Sequence, residues 1–150
     1  ILLDQNQITR VMRDDQVEKF NWFDVEMNKS SHFINCLDYN VNGTAMVGFM
    51  EVLTEGKTEL LLYRELIVRE GYYSVTHDAG QINDEYQIKE TLYLATEKDL
   101  FEVKNKKTLL PYFGDQSNEI KAYVKSNNLR IKDKNDLSKI IDHYNSLLEN

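Results

Sequence analysis

Two apolar runs, 46–53 and 60–66, flank the polar tip Thr54-Glu55-Gly56-Lys57 and form the most hydrophobic, least interrupted stretch of the chain. The pattern predicts a β-hairpin at the centre of a sheet, with Gly56 free to take the positive φ of its turn. Upstream, the short apolar patches 1–3 and 8–12, separated by Asp4-Gln5-Asn6-Gln7, predict an edge strand or two, and Asp14-Asp15 marks a turn. Over 17–27 the alternation passes through Phe20 and Trp22, then changes phase to Phe23, Val25 and Met27, as a β-bulge inside one strand would produce. Asn28-Lys29-Ser30-Ser31 is read as a turn, 32–39 as a strand, and Asn40-Val41-Asn42-Gly43 as a type I′ turn.

Downstream, Gly71-Tyr72-Tyr73 opens a short strand, and 77–85 reads as a flexible polar loop containing Gly80. The runs 86–95 and 100–103 flank Thr96-Glu97-Lys98-Asp99, a second hairpin. Then the period changes. Thr108 suits the N-cap of a short helical turn containing Pro111, Gly114 suits its stop, and Asp115 suits the cap of a helix through Asn127 with Ile120, Tyr123 and Val124 on one face. After Asp133 or Asn135 as cap, Leu137, Ile140, Ile141, Tyr144, Leu147 and Leu148 make one unbroken helical stripe, expected to pack intramolecularly. The expected fold class is α+β. An antiparallel β-sheet or partly open barrel (about 1–104) precedes a short C-terminal helical tail (about 108–148). The 150 residues are read as one domain, 1–104 as its body and 105–150 as a helical appendage.

Composition fits this reading: hydrophobic residues are 41% and aromatics 11%, with one Pro and six Gly, which excludes disordered and collagen-like classes. No run approaches the roughly 20 apolar residues of a helical membrane span. Because the first residue is Ile1, the sequence leaves open whether a leader precedes it. Net charge is −9 over 1–100 and +2 over 101–150, and an acidic body argues against nucleic acid as partner.

Catalytic patterns are missing from the sequence: there is no Gly-rich phosphate loop, HExxH, GxSxG or CxxC. His32, His77 and His143 share no metal-site spacing, and Cys36, alone in an apolar setting, predicts an inert buried thiol. Asp14-Asp15 and Asp99 read as turn residues. No catalytic residue, metal or cofactor is expected. The pair His77-Asp78 is the one arrangement that would orient an imidazole, but no nucleophile accompanies it. The nine tyrosines are unusual. Tyr72 and Tyr73, beside His77 and Asp78 in the polar loop, are the expected recognition patch for a protein partner, since Tyr offers apolar area with a polar tip. Asn28-Lys29-Ser30 and Asn42-Gly43-Thr44 match the glycosylation acceptor pattern.

The phrase Gly48-Phe49-Met50-Glu51-Val52-Leu53, then Glu55-Gly56, Leu60-Leu61-Leu62, Asn105-Lys106-Lys107, Leu109-Leu110, Asp115, Glu119-Ile120-Lys121, Asp136-Leu137 and Tyr144-Asn145-Ser146-Leu147, resembles a family of exported β-rich proteins of Bacteroidetes-type bacteria, over about residues 33–148. The resemblance implies a periplasmic or cell-envelope location in a Gram-negative bacterium and no catalytic residues. The expected function is therefore non-catalytic binding of another protein, as an accessory subunit of an envelope assembly. Two other classes stay open: a small-ligand carrier with a cavity lined by Phe49, Trp22 and Tyr93, and an enzyme using His77 and Asp78. The sequence leaves the oligomeric state open.

Overall fold

A computed structural model describes residues 2–149 except 4–8, 11, 38, 42, 75, 77, 78, 82, 97 and 98, and gives backbone only at 2, 3, 9, 10, 44, 73, 74 and 79–81. The strands are β1 (Leu2–Leu3), β2 (Thr9–Arg10), β3 (Lys19–Asp24), β4 (Lys29–Asn35), β5 (Asn40–Val41), β6 (Thr44–Ala45), β7 (Phe49–Thr54), β8 (Glu59–Arg69), β9 (Tyr72–Ser74), β10 (Ala79–Gln81), β11 (Glu85–Ala95) and β12 (Leu100–Glu102). Six of them form one antiparallel sheet in the order β12-β11-β8-β7-β4-β3, and the pairs β1-β2, β5-β6 and β9-β10 stand apart from it. The fold is α+β and the sheet is open: its edges, β12 and β3, do not meet, so the barrel alternative falls. The predicted central hairpin is β7-β8, and it occupies the middle of the sheet.

Several expectations shift. The phase change after Trp22 is not a bulge. β3 pairs with β4 without a break from Lys19↔Ile34 to Asp24↔Lys29, and Val25 and Met27 belong to the tight turn that follows, which contains Asn28 at φ 49°. The irregularity lies instead in β7, between Val52 and Thr54. It lets Leu53 pack beneath the helices while Thr54 pairs with Leu60. Part of the predicted loop 77–85 is strand, with Gly80 opposite Tyr73. The patches near the N-terminus give the small β1-β2 pair, while residues 4–8 lie outside the described residues.

Three helices follow: α1 (Lys106–Leu109), α2 (Ser117–Ser126) after a 3-10 stretch Leu110–Gln116, and α3 (Lys134–Leu148). Asn105, not Thr108, caps α1, accepting from the N–H groups of Lys107 and Thr108 while the Thr108 hydroxyl returns the favour to the backbone of Asn105. Gly114 takes φ 51° inside the 3-10 stretch, which moves the cap of α2 from Asp115 to Gln116. Asp133 caps α3 as expected, accepting from Asn135 and Asp136 N–H.

Strand alternation sorts the sheet residues between two faces. On one face the helices cover Leu60, Leu94, Leu92 and Leu53, and the predicted stripe delivers Leu137, Ile140, Ile141 and Tyr144 into this core, joined by Phe113, Ile120 and Leu109. The helical segment thus shares its core with the sheet. On the other face the 36–48 excursion folds back, so that Cys36, Met46 and Met50 pack with Leu61, Tyr93 and Ala95. A polar clip locks the two layers together. Asn145 of α3 is buried and reaches the β7-β8 turn, where its Oδ1 accepts from Thr58 N–H at 2.9 Å and its Nδ2 donates to Thr58 O at 2.8 Å.

Candidate functional site

β8 and β11 pair in unbroken register from Glu59↔Ala95 to Arg69↔Glu85, far longer than their neighbours. β7 follows β8 only to Tyr63, and β12 follows β11 only to Tyr93, with Val103 N–H extending the ladder to Leu92 O at 2.8 Å. Among the described residues, 64–69 and 85–90 therefore pair only with each other, as a two-stranded ribbon running out of the sheet.

A row of charges stands where the ribbon leaves the body. Glu51, 6% exposed, accepts from the Ser31 hydroxyl at 2.8 Å and meets Arg64 at 2.8 Å and Lys29 at 3.9 Å. Arg64 also reaches Glu90 at 3.0 Å, and Glu90 reaches Lys134 at the start of α3 at 3.3 Å. Burial raises the Glu51 and Glu90 carboxyl pKa values, but the hydrogen bonds and positive charges of these partners outweigh it and hold both below the usual glutamate value.

Past that row the ribbon is two-faced. On the helix side it carries Leu66, Val68, Tyr86 and Ile88, which are 61%, 47%, 66% and 64% exposed. Leu66 lies opposite Ile88 and Val68 opposite Tyr86, so the four make one contiguous apolar patch. The reverse side is polar. Glu65 pairs with Lys89 at 3.4 Å, Arg69 with Glu85 at 3.9 Å, and Ile67 faces Gln87. Four large apolar side chains thus stand exposed, outside the buried core, on a ribbon with a charged back.

Of the residues expected to recognise a partner, Tyr72 is 76% exposed at the far end of this ribbon, on β9. Tyr73 is placed in the same strand by its backbone, and His77 and Asp78 lie outside the described residues. The four apolar residues were missed by sequence reasoning. Their signal was parity and length: Leu66 and Val68 continue the even series of buried Leu60 and Leu62, in a strand too long for its neighbours to cover.

The carrier cavity does not form. Phe49 and Trp22 line a groove of about 430 Å³ with Phe20 and Met12, whereas Tyr93 is buried on the opposite face of the sheet. Phe20 stacks on Phe33 at 4.8 Å and meets Phe49 edge-on at 5.0 Å, filling the floor of that groove. A second groove, of about 590 Å³, lies between β11 and the segment leading into α3, with Leu92, Val103 and Ile131 below and Lys89, Lys104 and Lys132 around it. Among the described residues no three His, Cys, Asp or Glu side chains converge as metal ligands, and no helix is long and apolar enough to cross a membrane. Cys36 is buried, and burial pushes its thiol up to about 11, as expected of an inert thiol. Comparison with known protein families, with curated proteins and with solved structures finds no match.

Proposed function

We propose that this chain is a non-catalytic, exported protein of the Gram-negative cell envelope that binds another protein through the apolar face of the β8-β11 ribbon. One observation carries the reading: Leu66, Val68, Tyr86 and Ile88 form a contiguous, half- to two-thirds-exposed patch beyond the reach of the chain's own helices. Nothing in the core requires these residues to be apolar, since a solvated ribbon face is satisfied by Thr, Lys or Glu. Tyr72 near the ribbon's end adds a further apolar surface with a polar tip. The envelope location rests on the family resemblance of residues 33–148. An accessory role in an envelope assembly follows from the two together.

The test is affinity capture of tagged protein from the native cell envelope, native chain against Leu66→Ser/Ile88→Ser, both checked for unchanged far-UV circular dichroism. A stoichiometric partner held by the native chain and lost by the variant is the expected result. Equal capture by both would place the docking surface elsewhere, and no partner for either would remove the reading.

A further inference from the structure

We propose that two copies of this chain pair edge to edge along β11, antiparallel, with Gln87 on the two-fold axis. The inference stands independently of what the apolar face binds.

The backbone sets the first constraint. Val103 N–H bonds Leu92 O, so the peptide groups of Leu92 face β12, and strand alternation then turns those of Glu90, Ile88 and Tyr86 the same way. Among the described residues no strand receives them. β12 and Val103 occupy this edge down to Leu92, and β11 begins at Glu85, so the open stretch is 85–91. An open edge of that length is a template for another strand.

Charge and side-chain pattern then choose the strand. An antiparallel two-fold that matches outward peptides with outward peptides permits only a few registers. With Gln87 on the axis, Glu85 faces Lys89 of the second copy, and Tyr86 faces its Ile88. Shifting the axis to Ile88 sets Tyr86 against Glu90 and Lys89 against Gln87, and shifting it to Tyr86 sets Ile88 against Asp84. Of these, the Gln87 register alone sets Glu85 against Lys89 and Tyr86 against Ile88; Glu90, already paired with Arg64 and Lys134, then faces Asp84 of the second copy.

The intrachain pairs reinforce that register. Glu65–Lys89 and Arg69–Glu85 lie on one face of the ribbon. Joined through the second copy, they become a row across four strands: Glu65, Lys89, then Glu85 and Arg69 of the second copy, alternating in sign. On the opposite face Leu66, Ile88, and then Tyr86 and Val68 of the second copy form an apolar row. The two-fold repeats both rows, so one continuous stripe of twice the width replaces two separate patches. The contact is isologous and closes on itself.

β8 carries the same pattern on the ribbon's other edge, in Glu65-Leu66-Ile67-Val68-Arg69. At the root of that edge, Tyr63 Oη donates to Val47 O at 3.0 Å. The β11 edge is bordered at 89–92 by Lys104 and the segment 131–134, with Lys134 3.3 Å from Glu90, and the stretch 85–88 lies beyond that border.

The test combines sedimentation velocity with two sets of variants. The native chain is expected to show a concentration-dependent shift from 17.7 kDa toward twice that mass between about 10 and about 500 µM, the weak range of interfaces below standard size. Lys89→Glu and Glu85→Lys each place like charges opposite one another twice, and each alone is expected to associate about tenfold more weakly. Mixed together they restore both opposite-charge pairs and associate as a heterodimer. Gln87 pairs with its own copy at a non-hydrogen-bonded position, where Cα atoms lie about 4.5 Å apart, within reach of a disulfide. Gln87→Cys is therefore expected to cross-link on mild oxidation at least about tenfold faster than Lys89→Cys, while buried Cys36 stays silent. A native chain that stays at 17.7 kDa throughout, with Gln87→Cys no faster than Lys89→Cys, overturns the proposal. So does preferential cross-linking of Ile67→Cys, which would move the pairing to β8, or a mixture of charge variants no better associated than either alone.

Discussion

Truncating Asn145 is the sharpest probe of how the helical layer is held on the sheet. Its side chain saturates the one buried residue at the end of an exposed turn: Thr58 is 2% exposed, its N–H bonds Asn145 Oδ1 at 2.9 Å, and its carbonyl accepts from Nδ2 at 2.8 Å. A longer contact of 3.4 Å runs from Nδ2 to Glu55 O. Asn145→Ala removes two good hydrogen bonds and leaves a buried donor and a buried acceptor unpaired. At about 1–3 kcal/mol for each orphaned group, tempered by partial relaxation and water entry, the loss is about 3 kcal/mol. For a chain of this size that lowers Tm by about 6–12 °C. Gly56 provides the control. A Cβ built there collides with the Asn145 side-chain amide at a φ of 147°, so Gly56→Ala strains the same contact from the other side. In the double variant the clash is gone, and its cost falls below the sum of the two single costs. Urea denaturation followed by far-UV circular dichroism measures all three. A loss below about 1 kcal/mol for Asn145→Ala, or strict additivity of the pair, would refute the clip.

Two further outcomes follow from the perturbed ionisable groups. Glu51 and Glu90 have carboxyl pKa values held below the ordinary one in the folded state, so the stability they contribute is present at neutral pH and is lost as pH falls through the folded values. Glu51→Gln is expected to cost about 1–2 kcal/mol at pH 7, with the gap to the native chain closing below about pH 4 in pH-dependent melts; a gap independent of pH would show that charge is not what Glu51 supplies. Cys36 is 0% exposed with its thiol at about 11, so thiol reagents at pH 8 are expected to label it only at the rate of unfolding, and rapid labelling of the native chain would contradict its burial.

How much of this was legible in the sequence depended on whether the pattern had a period. The stripe from Leu137 to Leu148 has one, and the helix formed where predicted, on the Asp133 cap. The run 46–53 has none, because nearly every residue is apolar. The bulge beside Leu53 was therefore invisible, and a bulge was read instead at Phe23, where the chain was merely approaching its turn. Caps misplaced by three residues and by one, Asn105 for Thr108 and Gln116 for Asp115, reflect backbone turns that several polar neighbours serve equally well. For the candidate site, the sequence pointed to Tyr72 at the ribbon's end but not to Leu66, Val68, Tyr86 and Ile88. An apolar residue in a strand does not announce whether anything covers it. That depends on where β7, β12 and α3 stop, which is a property of tertiary packing.

The ribbon's internal register and its proposed pairing with a second copy have a common physical origin. Glu65-Leu66-Ile67-Val68-Arg69 and Glu85-Tyr86-Gln87-Ile88-Lys89 share one pattern, an acid and a base enclosing two same-face apolar positions. An antiparallel partner reverses direction, so each acid meets a base and the two same-face apolar residues meet two others, while Ile67 meets Gln87. That is how β8 zips onto β11, through Glu65–Lys89 and Arg69–Glu85. A segment of this kind is complementary to its own copy for the same reason. Two open edges of such strands would propagate without limit and make fibres. Pairing through one edge per chain closes as a dimer. Charged side chains on the ribbon's back, usually read as protection against aggregation, then act as the code that selects a single register.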